Sequence, residues 1–212
     1  MSRLHLVRHG DVHNPEGVLY GRMPGFSLSE AGRKQAVQTA GFLRVQRAGG
    51  VHIVTSPLDR ARETAEIIRD ELTAGGDAPV HLRTDDRLIE AGSWREGLPY
   101  AFDAGSYFRR LRERTAHANE APRAIALRMR EAVLDALGQM KDDEMVIVVS
   151  HQSPIRLALV GVEHHVGTPH ERWLPRMFPW ALAKRACGYA SVTTLDFAEG
   201  KKLSGVGYWE PR

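Results

Sequence analysis

The chain has 212 residues, of which 42% are hydrophobic and 26% charged, and its formal net charge is +3 at pH 7. These values exclude a disordered or fibrous chain and predict one globular domain, residues 1–212. The charge is too small for a typical nucleic-acid binder. No apolar run approaches the ~18 residues of a membrane span, and the N-terminus lacks the pattern of a secretory signal. The single cysteine, Cys187, excludes internal disulfides, so we expect a cytoplasmic protein.

Strand and helix patterns alternate along the first half of the chain. Short apolar runs that end near glycine or proline indicate strands, and apolar residues at helical spacing indicate helices. Ser29 is the predicted N-cap of the first helix. Strands are predicted at 3–7, 51–55 and 80–83, and helices at 30–47 and 58–72.

The second half of the chain contains the strongest strand pattern. Residues 145–149 are a continuous apolar run, typical of a central strand buried on both faces. A helix is predicted from Ile155, and residues 163–188 have no clear period. Further predicted elements are two helices within 99–140, which separate near 119–122, and two terminal strands at 190–197 and 203–209. The alternation predicts a three-layer α/β/α sandwich with a mostly parallel central sheet.

Ionisable residues follow three of the predicted strands. Arg8 and His9 follow the first strand, Arg60 and Arg62 lie on the helix after the second, and His151 follows the central strand. Because the carboxyl ends of parallel strands share one edge of a sheet, we expect these side chains to converge. Guanidinium groups match phosphate oxygens bidentately and remain charged. The cluster therefore predicts a site for a phosphate monoester that requires no metal ion.

Five sequence motifs around these residues occur in a characteristic order. They are Leu-Val-Arg-His-Gly at 6–10, Asn14, Thr-Ser-Pro-Leu-Asp-Arg-Ala-Arg-Glu-Thr-Ala at 55–65, Leu-Ile-Glu at 88–90 and Val-Ser-His at 149–151. Together they resemble the histidine phosphatase superfamily, which has the phosphoglycerate mutase-like fold. Five ordered motifs are much more specific than an Arg-His-Gly tripeptide alone. The resemblance extends from residue 4 to about residue 160.

The resemblance implies a role for each residue of the cluster. His9 would attack phosphorus and become a phosphohistidine, and Glu90 would donate a proton to the leaving oxygen. Arg8, Arg60 and His151 would hold the phosphoryl group. Nearby arginines lower the pKa of a histidine towards its nucleophilic form, and a dianionic substrate favours a protonated carboxyl. The alternatives are a loop histidine bonded to the backbone at His9 and a hydrogen-bonded core histidine at His151.

Four further residues are predicted to extend the substrate-binding site: Asn14, Gly21, Arg22 and Gln152. Gln152 stands where the family usually has glycine after its second histidine. Either the backbone has a different shape there, or the amide of Gln152 contacts the phosphate. The alternative for Asn14 is a turn before Pro15, and the alternative for Arg22 is a solvated side chain.

Two other predictions choose between neighbouring charged residues. Arg60 is preferred to Arg62 as the phosphate ligand, because residues two apart on a helix point about 200° away from each other. For Glu90, the alternative to an acid is a loop carboxylate paired with Arg87 or Arg95.

The expected activity is that of a metal-independent phosphomonoesterase. Related alternatives are a phosphoglycerate mutase and a catalytically silent phosphate-binding protein. Mutases of the family usually carry a tyrosine shortly after the acidic residue, whereas Ala-Gly-Ser-Trp follows Glu90, and this favours the phosphatase. The chain has no Cys-x5-Arg, Asp-x-Asp or Gly-x4-Gly-Lys-[Ser/Thr] motif for another phosphoryl-transfer route.

No cofactor and no metal site is predicted. His164, His165 and His170 lack the ordered carboxylates that would favour a metal site. The basic run at 109–114 is predicted as the exposed face of a helix that borders the cleft. The expected partner is a small phosphomonoester, without nucleic acid or membrane, and a homodimer is compatible with the sequence.

Overall fold

The computed structural model describes most of the chain. The described residues are 2–47, 49–74, 76, 78–100, 119–140, 144–165, 168, 185–198 and 202–212. The first helical pattern after residue 99 and the basic run at 109–114 lie outside these ranges, as does most of the aperiodic stretch 163–188.

A six-stranded sheet forms the centre of the protein. Its strands are β1 (Ser2–Arg8), β2 (Val51–Thr55), β3 (Val80–Thr84), β4 (Met145–Ser150), β5 (Val192–Ala198) and β6 (Lys202–Trp209). They are arranged in the order β3-β2-β4-β1-β5-β6. The first four strands in this order pair in parallel, and β5 and β6 pair antiparallel at one side. The predicted α/β sandwich with a mostly parallel sheet is confirmed.

In the described part of the chain, four α-helices cover the two faces of the sheet. They are α1 (Glu30–Val45), α2 (Asp59–Ala74), α3 (Pro122–Gly138) and α4 (Gln152–Glu163). The predicted N-cap is present, since the side chain of Ser29 accepts a hydrogen bond from the backbone N–H of Gly32. Within the described part of the chain, no helix is both long and apolar enough to cross a membrane.

The central strand β4 separates two apolar cores. Val146 and Val148 face the core formed with α3 and α4, and Ile147 and Val149 face the core formed with α1 and α2. Every residue of β4 is buried, because helices cover both faces of the sheet. The continuous apolar run in the sequence therefore corresponds to a strand between two layers of helices.

The predicted starts of two elements were wrong by more than one residue, for identifiable reasons. Helix α4 begins at Gln152 instead of Ile155. Pro154 fits its first turn, where a missing N–H costs no helical hydrogen bond. Strand β5 begins at Val192 instead of Ala190. Ala190 has a positive φ of 52°, which is incompatible with an extended strand, and its N–H donates to the carbonyl of His9 at 3.1 Å.

Backbone hydrogen bonds continue beyond the ends of the parallel strands. The N–H of His9 donates to the carbonyl of Ser150 at 3.0 Å, and the N–H of Ser56 donates to the carbonyl of Val149 at 3.0 Å. These bonds hold the segments that leave β1, β2 and β4 side by side. The edge of the sheet at their carboxyl ends is therefore where the predicted side chains converge.

Helices α3 and α4 approach each other closely at Gly161. A Cβ atom at Gly161 would overlap the backbone carbonyl of Ala126 on α3. We expect Gly161→Ala to lower the free energy of unfolding by about 1–3 kcal/mol through overpacking. The matched control is Gly41→Ala on α1, where no atom lies near the added methyl group. This variant should instead gain about 0.5–1 kcal/mol from helix propensity. Urea denaturation of both variants measures these changes. Equal changes in the free energy of unfolding would contradict the close contact at Gly161.

Candidate active site

His9 lies directly after β1 and is 1% exposed. Its Nδ1 is 2.8 Å from the carbonyl oxygen of Gly10. A carbonyl only accepts hydrogen bonds, so the neutral ring carries its proton on Nδ1 and leaves a lone pair on Nε2. A side chain at position 10 would collide with the carbonyl of Gly32, so the Arg-His-Gly motif requires glycine there. The loop therefore presents His9 as a base or nucleophile through Nε2.

His151 is the second histidine of the site and lies directly after β4. The centroids of its ring and the His9 ring are 5.1 Å apart. Its Nε2 is 2.8 Å from Oγ of Ser56, and its Nδ1 is buried without a hydrogen-bond partner. Burial lowers the pKa of both histidines well below the usual value, and the charges of Arg60 and Arg8 lower them further. Both rings are therefore neutral at physiological pH.

Among the described residues, neither of the two predicted phosphate arginines forms an ion pair with a carboxylate. Arg60 is 1% exposed, and its Nη2 donates to the carbonyl of Gly21 at 2.6 Å. Arg8 donates through Nη1 to the carbonyl of Cys187 at 2.7 Å. The Nε atoms of both arginines are buried and have no hydrogen-bond partner in the part of the chain that the structure describes. Because the bound carbonyls are neutral, the charge of each guanidinium remains available for an anion. Arg62 is exposed, as the helical geometry predicted.

Tyrosines, which sequence reasoning did not single out, surround His9. The ring centroids of Tyr20 and Tyr189 lie 6.3 Å and 5.9 Å from that of His9. Each also supports an arginine: Arg60 stacks on Tyr20 at 4.7 Å and Arg8 on Tyr189 at 3.9 Å. Burial and a hydrogen bond with Tyr189 raise the pKa of Tyr20, so its hydroxyl stays protonated. The position of Tyr20 beside Gly21 and Arg22 was the one signal in the sequence that could have found it.

Glu90 faces the site across a cavity of about 620 Å³ that Arg8 and His9 also line. Its Oε1 accepts a hydrogen bond from the N–H of Ala91 at 2.7 Å. Burial raises the pKa of Glu90, and this effect outweighs the opposing charges of the nearby arginines. Arg87, considered as an alternative partner, instead binds Asp85 and Asp135.

A second carboxylate, Glu120, lines the same cavity, but its pKa is shifted in the opposite direction to that of Glu90. Burial alone would raise its pKa, but hydrogen bonds from Arg128 and the charges of Arg128 and Arg22 lower it. Environments that push the pKa values of two carboxyls apart indicate different roles for them. Of the two, Glu90 is the carboxyl that keeps its proton to higher pH, whereas Glu120 ionises more readily.

The additional residues predicted for substrate binding occupy different positions. Gly21 and Gln152 line the cavity, and Nε2 of Gln152 donates to the carbonyl of Cys187 at 3.3 Å. Arg22 binds the carbonyl of Glu90 and the carboxylate of Glu120. Asn14 does not line the cavity. Its amide donates to the carbonyl of Val18 at 2.9 Å and accepts from the N–H of Val18 at 3.2 Å, so it stabilises a turn.

Among the described residues, no three His, Cys, Asp or Glu side chains are grouped in a way that could hold a metal ion. His164 and His165 are within this part of the chain, and His170 lies outside it.

The chain is similar to several known proteins. An uncharacterized protein of Mycobacterium tuberculosis, Rv0525, is 37% identical over 99% of this chain and 96% of its own length. A probable phosphoglycerate mutase, GpmB, of Erwinia tasmaniensis is 31% identical over 71% of this chain and 70% of its own length. The solved structure of mycobacterial glucosyl-3-phosphoglycerate phosphatase, Rv2419c, in complex with VO3 is 27% identical. It matches this fold with a TM-score of 0.72 over 100% of both chains.

The family model of the histidine phosphatase superfamily (branch 1) matches residues 4–204. This range includes both histidines, Arg8 and Arg60, and the two carboxylates of the cavity. This match over most of the chain shows that the chain belongs to the histidine phosphatase superfamily.

Proposed function

We propose that this protein is a phosphomonoesterase that acts through a phosphohistidine at His9. The hydrogen bond from Nδ1 of His9 to the Gly10 carbonyl carries this proposal, because it leaves Nε2 unprotonated. The unpaired charges of Arg8 and Arg60 support it, since they can stabilise a phosphoryl group without a metal ion. Glu90, with its raised pKa, supplies the acid.

In the first step, Nε2 of His9 attacks phosphorus and the bond between phosphorus and the leaving oxygen breaks. Glu90 donates its proton to that oxygen, so the alcohol departs neutral. Arg8, Arg60 and His151 contact the phosphoryl oxygens, where negative charge is spread in the transition state. The products of this step are phospho-His9 and the Glu90 carboxylate.

In the second step, a water molecule attacks the phosphorus of phospho-His9. The Glu90 carboxylate takes a proton from the water as the phosphorus–nitrogen bond breaks. Inorganic phosphate leaves, and His9 and protonated Glu90 are regenerated. A mutase would instead return the phosphoryl group to a second hydroxyl, so the two activities are distinguished by whether water or an alcohol accepts it.

The cavity also suggests a substrate class. Arg156 lines it from α4, about 7–8 Å along the helix axis from His151. Within the described chain its guanidinium forms no ion pair, and its Nε is buried without a hydrogen-bond partner. An unpaired charge at a cavity wall favours an anion. The names of the mutase and phosphatase relatives also specify phosphoglycerates, which carry a carboxylate. We therefore propose a phosphate monoester with a second anionic group as substrate.

Removing the nucleophile tests the mechanism most directly. We expect His9→Ala to lower kcat on an aryl phosphate by more than about 1000-fold, since the covalent route is lost. Acid-labile phosphate, measured after rapid quenching with a ³²P-labelled substrate, should be present on the wild-type protein and absent from the variant. The matched control is His81→Ala, an exposed histidine on β3, which should retain full activity.

Two outcomes would contradict this mechanism. One is loss of wild-type activity in excess chelator, because the arginines would then not suffice. The other is turnover by His9→Ala at the wild-type rate. With 3-phosphoglycerate, release of inorganic phosphate supports the phosphatase, and formation of 2-phosphoglycerate alone would indicate the mutase.

The pH dependence of kcat/KM tests whether Glu90 is the proton donor. The lowered pKa of His9 keeps Nε2 free to well below pH 6.5, and the raised pKa of Glu90 keeps its proton above pH 4.5. We expect kcat/KM to have an acidic-to-neutral optimum and to fall as Glu90 deprotonates at higher pH. Glu90→Gln should lower kcat/KM by about 100-fold or more and abolish the alkaline decline. A wild-type rate that rises steadily to pH 9 would refute the assignment of Glu90 as acid.

The proposed second anion site is tested at Arg156. Arg156→Met should lower kcat/KM for 3-phosphoglycerate by about 10–100-fold, the range of a lost charged hydrogen bond. The loss for glycerol 3-phosphate, which lacks the carboxylate, should be less than about threefold. Arg62→Met, on the exposed face of α2, is the matched control. The same comparison with fructose 1,6-bisphosphate and fructose 6-phosphate tests whether Arg156 binds a second phosphate group of the substrate. Equal losses on all substrates would exclude a selective anion site.

A further inference from the structure

The backbone of Glu90 is held by two arginines from different parts of the chain. Nε of Arg22, in the loop after β1, donates to the Glu90 carbonyl at 2.7 Å. Nη2 of Arg128, on α3, lies 3.5 Å from the same oxygen, and Arg128 also donates to the carbonyl of Arg87. The segment that carries Glu90 is therefore fixed from two sides.

Glu120 binds both of these arginines. Its Oε2 accepts from Nη2 of Arg22 at 2.6 Å and from Nη2 of Arg128 at 2.9 Å, while Oε1 accepts from Nε of Arg128 at 2.8 Å. The pairing with Arg128 is bidentate, the strongest geometry for such a pair. The N–H of Glu120 also donates to the carbonyl of Gly92 at 3.2 Å, two residues beyond Glu90. Glu120 thus connects the loop of the acid to α3.

The network also sets the charge around the acid. Arg60, Arg8 and Arg128 all oppose the raised pKa of Glu90. Glu120 compensates the charge of Arg128 and of Arg22, whereas Arg8 and Arg60 are bound only to carbonyl oxygens among the described residues. The thiol of Cys187 also interacts electrostatically with Glu90, and burial raises the pKa of this thiol, so it stays neutral. Of these groups, Glu120 is the counter-charge.

We propose that Glu120 is a positioning residue for Glu90, the acid of this site. Glu120 binds Arg22 and Arg128, the two arginines that contact the Glu90 carbonyl, and compensates their charge. The inference rests on the proposed function, because it assumes that Glu90 transfers the proton. In this role Arg22 holds the Glu90 carbonyl and does not contact the phosphate directly. Glu120 itself transfers no proton in either step.

Charge changes of opposite sign separate this role from simple structural support. Glu120→Gln leaves Arg22 and Arg128 uncompensated, which should stabilise the Glu90 carboxylate and move the alkaline limb of kcat/KM to lower pH. Arg22→Gln removes one cation and leaves Glu120 in place, which should move the same limb to higher pH. A purely structural role would lower the rate in both variants without shifts of opposite direction.

The dependence on the leaving group supplies a second measurement. Glu120→Gln should lower kcat/KM for an alkyl phosphate about tenfold, equal to about 1.4 kcal/mol. The loss for 2,4-dinitrophenyl phosphate, whose leaving group departs without a proton, should be less than about threefold. Glu131→Gln, on the exposed face of α3, makes the same charge change away from the site and should leave both values unchanged.

The outcomes distinguish failure of this inference from failure of the proposed function. If the wild-type protein hydrolyses no phosphomonoester, both are overturned. If it hydrolyses them through phospho-His9 but Glu120→Gln keeps the wild-type pH profile and leaving-group dependence, only the positioning role is overturned. If Glu120→Gln does not fold, as judged by circular dichroism, Arg22→Gln and Arg128→Gln test the same limb. Both should shift it to higher pH, and the absence of these shifts would overturn the inference.

Discussion

The parallel pairing of β1 with β4 is the constraint on which the site depends. It aligns Arg8 with Ser150, and the next hydrogen bond, from the N–H of His9 to the Ser150 carbonyl, carries the pairing past the strand ends. Two histidines far apart in the chain thereby face each other with ring centroids 5.1 Å apart. The apolar cores on both faces of the sheet hold this alignment, so the chemistry of the site relies on the burial of β4.

The arginines around the cavity fall into two electrostatic groups. Arg8 and Arg60 bind neutral carbonyls and stack on tyrosine rings, and within the described part of the chain neither forms an ion pair with a carboxylate. Arg22 and Arg128 share the carboxylate of Glu120 and are largely neutralised. The first group suits a dianion, and the second supports the segment that carries Glu90. The same residue type serves two purposes because its hydrogen-bond partners differ in charge.

Much of the fold was predictable, because its patterns are local. The apolar run of β4, the N-cap at Ser29 and the helical spacing that separates Arg60 from Arg62 each depend on a few neighbouring residues. The boundary of β5 was not predictable in the same way. Ala190 has a positive φ, and its N–H donates to the carbonyl of His9, a residue 181 positions away in the sequence. Such long-range contacts leave no periodic signal.

The sequence by itself determined the family, the layered fold and the residue types of the cluster, since ordered motifs and periodicity depend only on the order of residues along the chain. Only the tertiary structure decided how each side chain is used. It showed that Asn14 stabilises a turn, that Arg22 binds Glu120, and that Tyr20 supports an arginine beside His9. Burial and the charge of neighbours set the protonation of each group, and both depend on segments that meet only when the chain folds.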